Sequence, residues 1–291
     1  MRSPSLSERR GNKVKKTTLG FKKQKQQNER CVMVTAYDAP GAEAAEAAGV
    51  DLILVGDSLG MTVLGYDTTT DVTTADMIHH TRAVKRGARD TFIVTDMPFL
   101  TAQGSQDRTL DAALSLIQQG GADAVKIEGA GSVFQKIRML TEGGIPVCAH
   151  LGLTPQTVGV DGGYRVRGRT QEERETLLKE ALEAEKAGAF MLVLECVTEE
   201  TAEEAARLLQ IPVIGIGAGR FTDGQVLVYH DIIGQFSGKQ AKFVKQYADA
   251  RSLIEQALLS YTEEVRSGVF PDTSHTFEPL EHPGGLYGGK K

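Results

Sequence analysis

The sequence predicts an α/β fold, a closed (β/α)8 barrel, on three observations. Eight short β-branched or apolar runs alternate with longer helical patterns along 291 residues, which argues for a parallel sheet. Several of these runs are apolar on both faces, as a sheet covered on both sides requires. Eight such units in this length favour a closed barrel over an open doubly wound sheet. Strands are expected near 31–36, 51–55, 91–96, 123–127, 146–150, 190–195, 211–216 and 226–230. Helices are expected at 39–48, 74–86, 107–119, 131–142, 171–187 and 199–208, and a last one at 251–266. Gly or Pro punctuates many joins, as at Gly49, Gly87, Gly120-Gly121 and Gly188. Residues 17–270 read as a single domain, and the Gly- and Pro-rich stretch 271–291 as a mobile tail.

At 41% hydrophobic residues the chain can bury one large core. No apolar run approaches the roughly 20 residues of a membrane helix, so a soluble body is expected. A net charge of -5 gives no hint of a nucleic-acid partner. Charge is unevenly placed, however. Residues 1–30 hold ten Lys or Arg against Glu8 and Glu29, leaving 23 basic and 36 acidic residues elsewhere. Residues 1–16 read as a flexible, solvated basic arm leading into a first helix. The sharper alternative, a targeting segment, lacks both an apolar core and a clear Arg stripe. Cys31, Cys148 and Cys196 make no even disulfide framework and no C-x-x-C pair. Buried thiols in a reducing cytoplasm are the simplest account.

Catalysis in such barrels sits at the carboxyl ends of the strands. Reading those ends gives Asp57 and Ser58, Asp96, Lys126 with Glu128, His150, and Glu195. Side chains alternate along a strand, so Lys126 and Glu128 share one face, as do Cys148 and His150, and as do Met191, Val193 and Glu195. Charges ending apolar strands are costly to bury unless paired, hydrated or bound to metal. Asp57, Asp96 and Glu128 supply hard oxygen ligands, which suit Mg²⁺ or Mn²⁺ better than Zn²⁺. Any one strand-end acid is as readily a cap on the next helix. Two other motifs compete for attention. Gly56-Asp57-Ser58-Leu59-Gly60 matches the G-x-S-x-G elbow of serine hydrolases, but that motif needs a following helix, and a loop is expected here. Gly215-Ile216-Gly217-Ala218-Gly219 lacks the last Gly of a dinucleotide turn, since Arg220 stands there. It suits either an anion-binding loop or a tight turn into a helix. The Gly-rich segment 157–169 reads equally as a lid or as an ordinary surface loop.

The strings TAYDAP (35–40), LVGDSLGMTVLGY (54–66), TDMPF (95–99), VKIEGA (125–130), HLGLTPQ (150–156), GGYRVRGR (162–169), LECV (194–197) and PVIGIGAG (212–219) resemble the ketopantoate hydroxymethyltransferase family. The resemblance runs from about residue 17 to residue 277. It implies a TIM barrel with an added N-terminal helix that binds Mg²⁺. It implies Asp57, Asp96 and Glu128 around the metal, and Asp57, Ser58, Asp96 and Lys126 on a 2-oxo acid. It makes Glu195 the proton acceptor; His150, from the strand-end reading, is a neighbour that would support the site. The implied reaction transfers a hydroxymethyl group from 5,10-methylenetetrahydrofolate to 3-methyl-2-oxobutanoate, giving 2-dehydropantoate for pantothenate synthesis. A cytoplasmic homo-oligomer, often a decamer, is implied as well.

That chemistry is physically coherent. Chelating the ketone and carboxylate oxygens to Mg²⁺ would stabilise an enolate. Lys126 would add positive charge near the oxyanion, and a carboxylate over the C–H would take its proton. The strongest rival is a Mg²⁺-dependent carbon–carbon lyase or phosphonomutase on an isocitrate-lyase-like barrel. The lyases of that group carry a K-K-C-G-H loop, a string that does not occur here. A second rival is a non-catalytic barrel that only binds ligand, against which Glu195 stands.

Overall fold

The computed structural model describes residues 15–235, 238 and 240–278. Residues 1–14 of the basic arm and 279–291 of the tail lie outside the described residues. Eight parallel strands close into a barrel in sequential order. They are β1 Cys31–Thr35, β2 Leu52–Val55, β3 Phe92–Asp96, β4 Ala124–Glu128, β5 Val147–Gly152, β6 Met191–Glu195, β7 Val213–Ile216 and β8 Gly224–Leu227. The helices are α1 Thr18–Gln26, α2 Ala39–Ala48, α3 Leu59–Thr62, α4 Thr74–Gly87, α5 Gln106–Ser115, α6 Val133–Glu142, α7 Val158–Asp161, α8 Gln171–Lys186, α9 Glu199–Leu208, α10 Tyr229–Ile233 and α11 Ala250–Ser267. Among the described residues no helix is long and apolar enough to cross a membrane.

Alternation along each strand sorts the core into two layers. Ile53, Val55, Ile93, Val125, Ile127, Leu192 and Leu194 face outward and pack under the helices. Leu52, Leu54, Val94, Ala124, Cys148, Met191, Val193 and Ile214 face inward and fill the barrel. Phe21 of α1 plugs the floor, edge-on to Phe92 with ring centroids 5.3 Å apart. The added N-terminal helix therefore closes the barrel end opposite the strand C-termini. All three cysteines are free, with Cys31 and Cys148 buried and Cys196 half-buried.

Four local expectations are corrected. The eighth strand was expected at 226–230 but occupies Gly224–Leu227, and residues 229–233 form α10. It starts at Gly224 because β1 comes close there, and a Cβ would lie 2.2 Å from the Cys31 carbonyl oxygen. The helix expected over 107–119 is α-helical only to Ser115 and then widens into a π-turn over Leu116–Gly120. The segment after Ser58, expected as a loop, makes the single turn α3, anchored by the fully buried Leu59. The Gly215–Gly219 turn leads into β8 and not into a helix. Gly217 fits against the Phe243 ring and Gly219 against Glu199, whose carboxylate accepts from the Arg220 amide.

Among the described residues, no long helix lies over the space outside β8 and β1. Val32, in the middle of β1, is half exposed, and a cavity of about 640 Å³ opens between β1, β8 and the 243–247 segment. α11, which follows in sequence, has no buried residue, although Leu253, Ile254, Leu258, Tyr261 and Val265 line it.

Candidate metal and active centre

The mouth of the barrel gathers every candidate residue. Parallel register sets Asp96 of β3 opposite Lys126 of β4, and Glu128 of β4 opposite His150 of β5. It also sets Gly152 of β5 opposite Glu195 of β6. Asp57 and Ser58 follow β2 directly. Lys126, Glu128 and His150 point inward, continuing the same inner face as Ala124 and Cys148. The apolar layers beneath thus end in a layer of charge.

Asp57, Asp96 and Glu128 are almost fully buried, and each offers one oxygen within 4.8 Å of the other two. The Lys126 ammonium lies 3.2 Å from both Asp96 Oδ1 and Glu128 Oε1. His150 Nδ1 lies 3.1 Å from Glu128 Oε1, and its Nε2 lies 3.4 Å from Glu195 Oε2. Glu195 is thus joined to the acid cluster through His150, and its side chain is partly open to solvent. Asp96 Oδ2 accepts from the Asp57 amide at 3.0 Å.

Three buried carboxylates share one ammonium, and the strain of that count is visible in their protonation. Burial, then the charges of Glu128 and Asp96, hold the Asp57 carboxyl well above its usual range. Burial also raises Asp96, against the pull of Lys126. For Glu128 burial pushes up, but Lys126 and His150 outweigh it and bring the carboxyl to about 2. Burial would lower Lys126, yet the surrounding acids hold its ammonium above the ordinary lysine value. Burial and Lys126 likewise push His150 down, and its carboxylate contacts overcome both and hold it at about 9. Asp96 Oδ1 is buried beside the Lys126 ammonium, but among the described residues it accepts no hydrogen bond of good geometry. An all-oxygen set with excess negative charge and an unbonded lone pair fits a hard divalent cation.

One residue of the centre was missed. Gln156 is buried, and its amide nitrogen donates to Asp57 Oδ2 at 2.7 Å and to the Met97 carbonyl at 3.0 Å. Its backbone N–H donates to Glu128 Oε2 at 3.2 Å. It lies in the HLGLTPQ string, but it ends no strand and carries no charge, so strand-end reading passes over it. Ser58 has no His partner among its described contacts, and its hydroxyl meets Tyr37. The hydrolase elbow is therefore not assembled. The 157–169 segment includes α7, and its far end is held by Arg167, whose backbone N–H donates to the Cys196 carbonyl at 2.8 Å.

The structure resembles solved barrels of low sequence identity. A phosphonopyruvate hydrolase, solved with oxalate and Mg²⁺, superposes with a TM-score of 0.58 at 12% identity, covering 88% of this chain and 92% of that one. A 2,3-dimethylmalate lyase of the PEP mutase/isocitrate lyase superfamily superposes with a TM-score of 0.56 at 16% identity, covering 89% and 91%. At such identities the likeness concerns the fold alone. Sequence comparison is far more specific. The chain is 57% identical over 277 residues to the 3-methyl-2-oxobutanoate hydroxymethyltransferase of Bacillus pumilus, covering 95% of this chain and 99% of that one. It is 56% identical over 276 residues to the enzyme of the same name from Bacillus subtilis, covering 94% and 100%. The family model described as ketopantoate hydroxymethyltransferase matches residues 15–273. The chain belongs to the ketopantoate hydroxymethyltransferase family and is an enzyme that transfers a hydroxymethyl group.

Proposed function

We propose that the enzyme joins the one-carbon unit of 5,10-methylenetetrahydrofolate to C3 of 3-methyl-2-oxobutanoate, giving 2-dehydropantoate for pantothenate synthesis. The observation that carries this reading is the buried Asp57–Asp96–Glu128 cluster, linked through His150 to Glu195 at the barrel mouth. The three acids would hold Mg²⁺, or Mn²⁺. Bound there, the cation would supply Lewis-acid stabilisation of the charge that develops on the substrate's oxygens, worth several kcal/mol.

The remaining work falls to side chains. Lys126 is held as an ammonium among acids and places positive charge where the enolate oxygen forms. Ser58 contributes a hydroxyl to the 2-oxo acid, and Asp57 and Asp96 border the same space. Glu195 takes the C3 proton, a role worth about 10²–10⁴-fold. The carbon so freed forms the new C–C bond to the folate's one-carbon unit; water supplies the hydroxyl oxygen, both C–N bonds to the folate break, and the two nitrogens take up one proton from that water and the one Glu195 removed from C3. His150, 3.4 Å from Glu195, orients that carboxylate. Gln156, bonded to both Asp57 and Glu128, holds two of the three acids in register.

The test is the half-reaction without folate. With Mg²⁺ and deuterated solvent, the wild type should exchange the hydrogen at C3. Glu195→Gln keeps the side chain's size and removes its basicity. It should slow exchange by about 10²-fold or more while still binding the 2-oxo acid. Exchange at the wild-type rate would move the base to His150.

The same reading makes the protein a cytoplasmic homo-oligomer, and the family resemblance implies a decamer. The uncovered flank of β8 and β1 and the unburied apolar residues of α11 support contact with other copies.

A further inference from the structure

The TAYDAP string is absorbed by no role above, and its tyrosine lies beside the substrate space. Tyr37 follows β1 and is 3% exposed. Its hydroxyl lies 2.8 Å from Ser58 Oγ. Its ring stacks on His230, with centroids 5.6 Å apart and planes within 18°. Its carbonyl lies 2.6 Å from His80 Nδ1. The ring and backbone are thus clamped, and the hydroxyl has little freedom of direction.

We propose that Tyr37 is a positioning residue that sets the direction of the Ser58 hydroxyl, so that Ser58 presents a proton and not a lone pair to the 2-oxo acid. The proposal rests on the reading that Ser58 contacts that substrate. A hydroxyl can donate one hydrogen bond, so a chain of hydroxyls has a sense of direction fixed by its ends. One end is fixed here. The Tyr229 backbone N–H, which can only donate, gives its proton to Thr35 Oγ1 at 2.9 Å. The Thr35 hydroxyl therefore keeps its own proton for another acceptor; Thr35 and Thr62 are both close enough to act on the Tyr37 hydroxyl, and Ser58 is its partner at hydrogen-bond distance. Tyr37 then hands its proton to Ser58, and Ser58 hands its proton to the substrate. The opposite sense would turn a Ser58 lone pair toward an anion, which is repulsive. Burial pushes the Tyr37 hydroxyl up to about 12, so it remains a neutral donor at working pH. Each bond in such a chain polarises the next.

Tyr37 is buried and its hydroxyl meets Ser58, so on this proposal its effect passes through Ser58. That is testable with Ser58→Ala, Tyr37→Phe and the double variant in the full-length protein. Each single variant should raise the KM for the 2-oxo acid, Tyr37→Phe by about 3- to 10-fold, the worth of one hydrogen bond between neutral groups. In the Ser58→Ala background, Tyr37→Phe should change KM no further. Equal effects of Tyr37→Phe in both backgrounds, or no effect in the wild type, would overturn the relay while leaving the substrate contact intact. An unchanged KM in Ser58→Ala would overturn contact and relay together. If Tyr37→Phe does not fold, 3-fluorotyrosine at position 37 replaces it. As a stronger donor, it should lower KM with Ser58 present and do nothing in Ser58→Ala. A rise in KM, or the same change in both backgrounds, would again overturn the relay.

Discussion

At the floor of the barrel three aspartates stand at strand entries, Asp51 before β2, Asp123 before β4 and Asp223 before β8. Each meets one lysine of the N-terminal segment: Lys16 at 2.6 Å, Lys15 at 2.5 Å and Lys25 at 2.8 Å. Each also accepts a strand N–H at 2.8 Å, from Val32, Ile93 and Val213. At the mouth, Asp57, Asp96 and Glu128 share the single ammonium of Lys126, and two of them are driven toward protonation. The residue types are the same and the bookkeeping differs. Acids that each find at least one lysine of their own fasten the N-terminal segment to the barrel, while charges left in excess make a place for something else. Strand-end acids become informative only when their partners are counted.

The comparison can be broken most severely at Asp96. Asp96→Ala should cost at least about 10³-fold in kcat/KM if a cation there is worth several kcal/mol. The chelator-treated variant should lose less urea stability than Asp223→Ala does, because removing an excess charge offsets the loss of the acceptor for the Asp57 amide. A clear loss of stability with activity retained would put Asp96 in the same class as the floor aspartates.

Asp223→Ala is the mirror experiment. It removes the partner of Lys25 and the acceptor for the Val213 amide at once. Stability should fall by about 1–3 kcal/mol, read as the urea midpoint, with kcat per folded molecule unchanged. A loss of kcat without a loss of stability would mean that the floor is coupled to the chemistry.

A smaller effect concerns pH. His150 is held at about 9, above its unfolded value, so it binds its proton more tightly when folded. Its contribution is fully present below about 6.5 and is lost as pH rises through about 9. Asp57, also raised, acts with the same sign. The chelator-treated protein should therefore lose stability between those values. Saturating Mg²⁺ should flatten the slope by binding the folded state. A urea-midpoint series with and without Mg²⁺ checks both, and a midpoint that rises with pH would contradict the reading.

The mouth was legible in the sequence because strand ends are legible. Asp96, Lys126, Glu128, His150 and Glu195 stand at the ends of apolar runs, and alternation sets Lys126 with Glu128 on one face; the structure shows that face to be the inner one. The floor was not legible, because its pairs are remote in sequence. Lys25 and Asp223 are 198 residues apart, and no local pattern announces them. Lys15 and Lys16, counted with the arm, are held by the barrel for the same reason. β8 was misplaced because it begins at Gly224-Gln225, which carries no apolar signal. The requirement for glycine there comes from β1, which lies far away in the chain. Gln156 escaped because an uncharged side chain on a loop declares itself only through its partners.

The three thiols have a practical consequence. Burial pushes Cys31 and Cys148 to about 12 and Cys196 to about 11. At neutral pH no more than about one in ten thousand of any of them is a thiolate, the form that alkylating reagents attack. The native thiols should therefore react slowly with maleimides, Cys31 and Cys148 also being buried. A single cysteine introduced on exposed α11, at Ser260 for instance, would carry a dye almost alone. Fluorescence from that one position could then follow the helix through dilution, refolding or mixing of labelled and unlabelled chains, with no native cysteine having to be removed first.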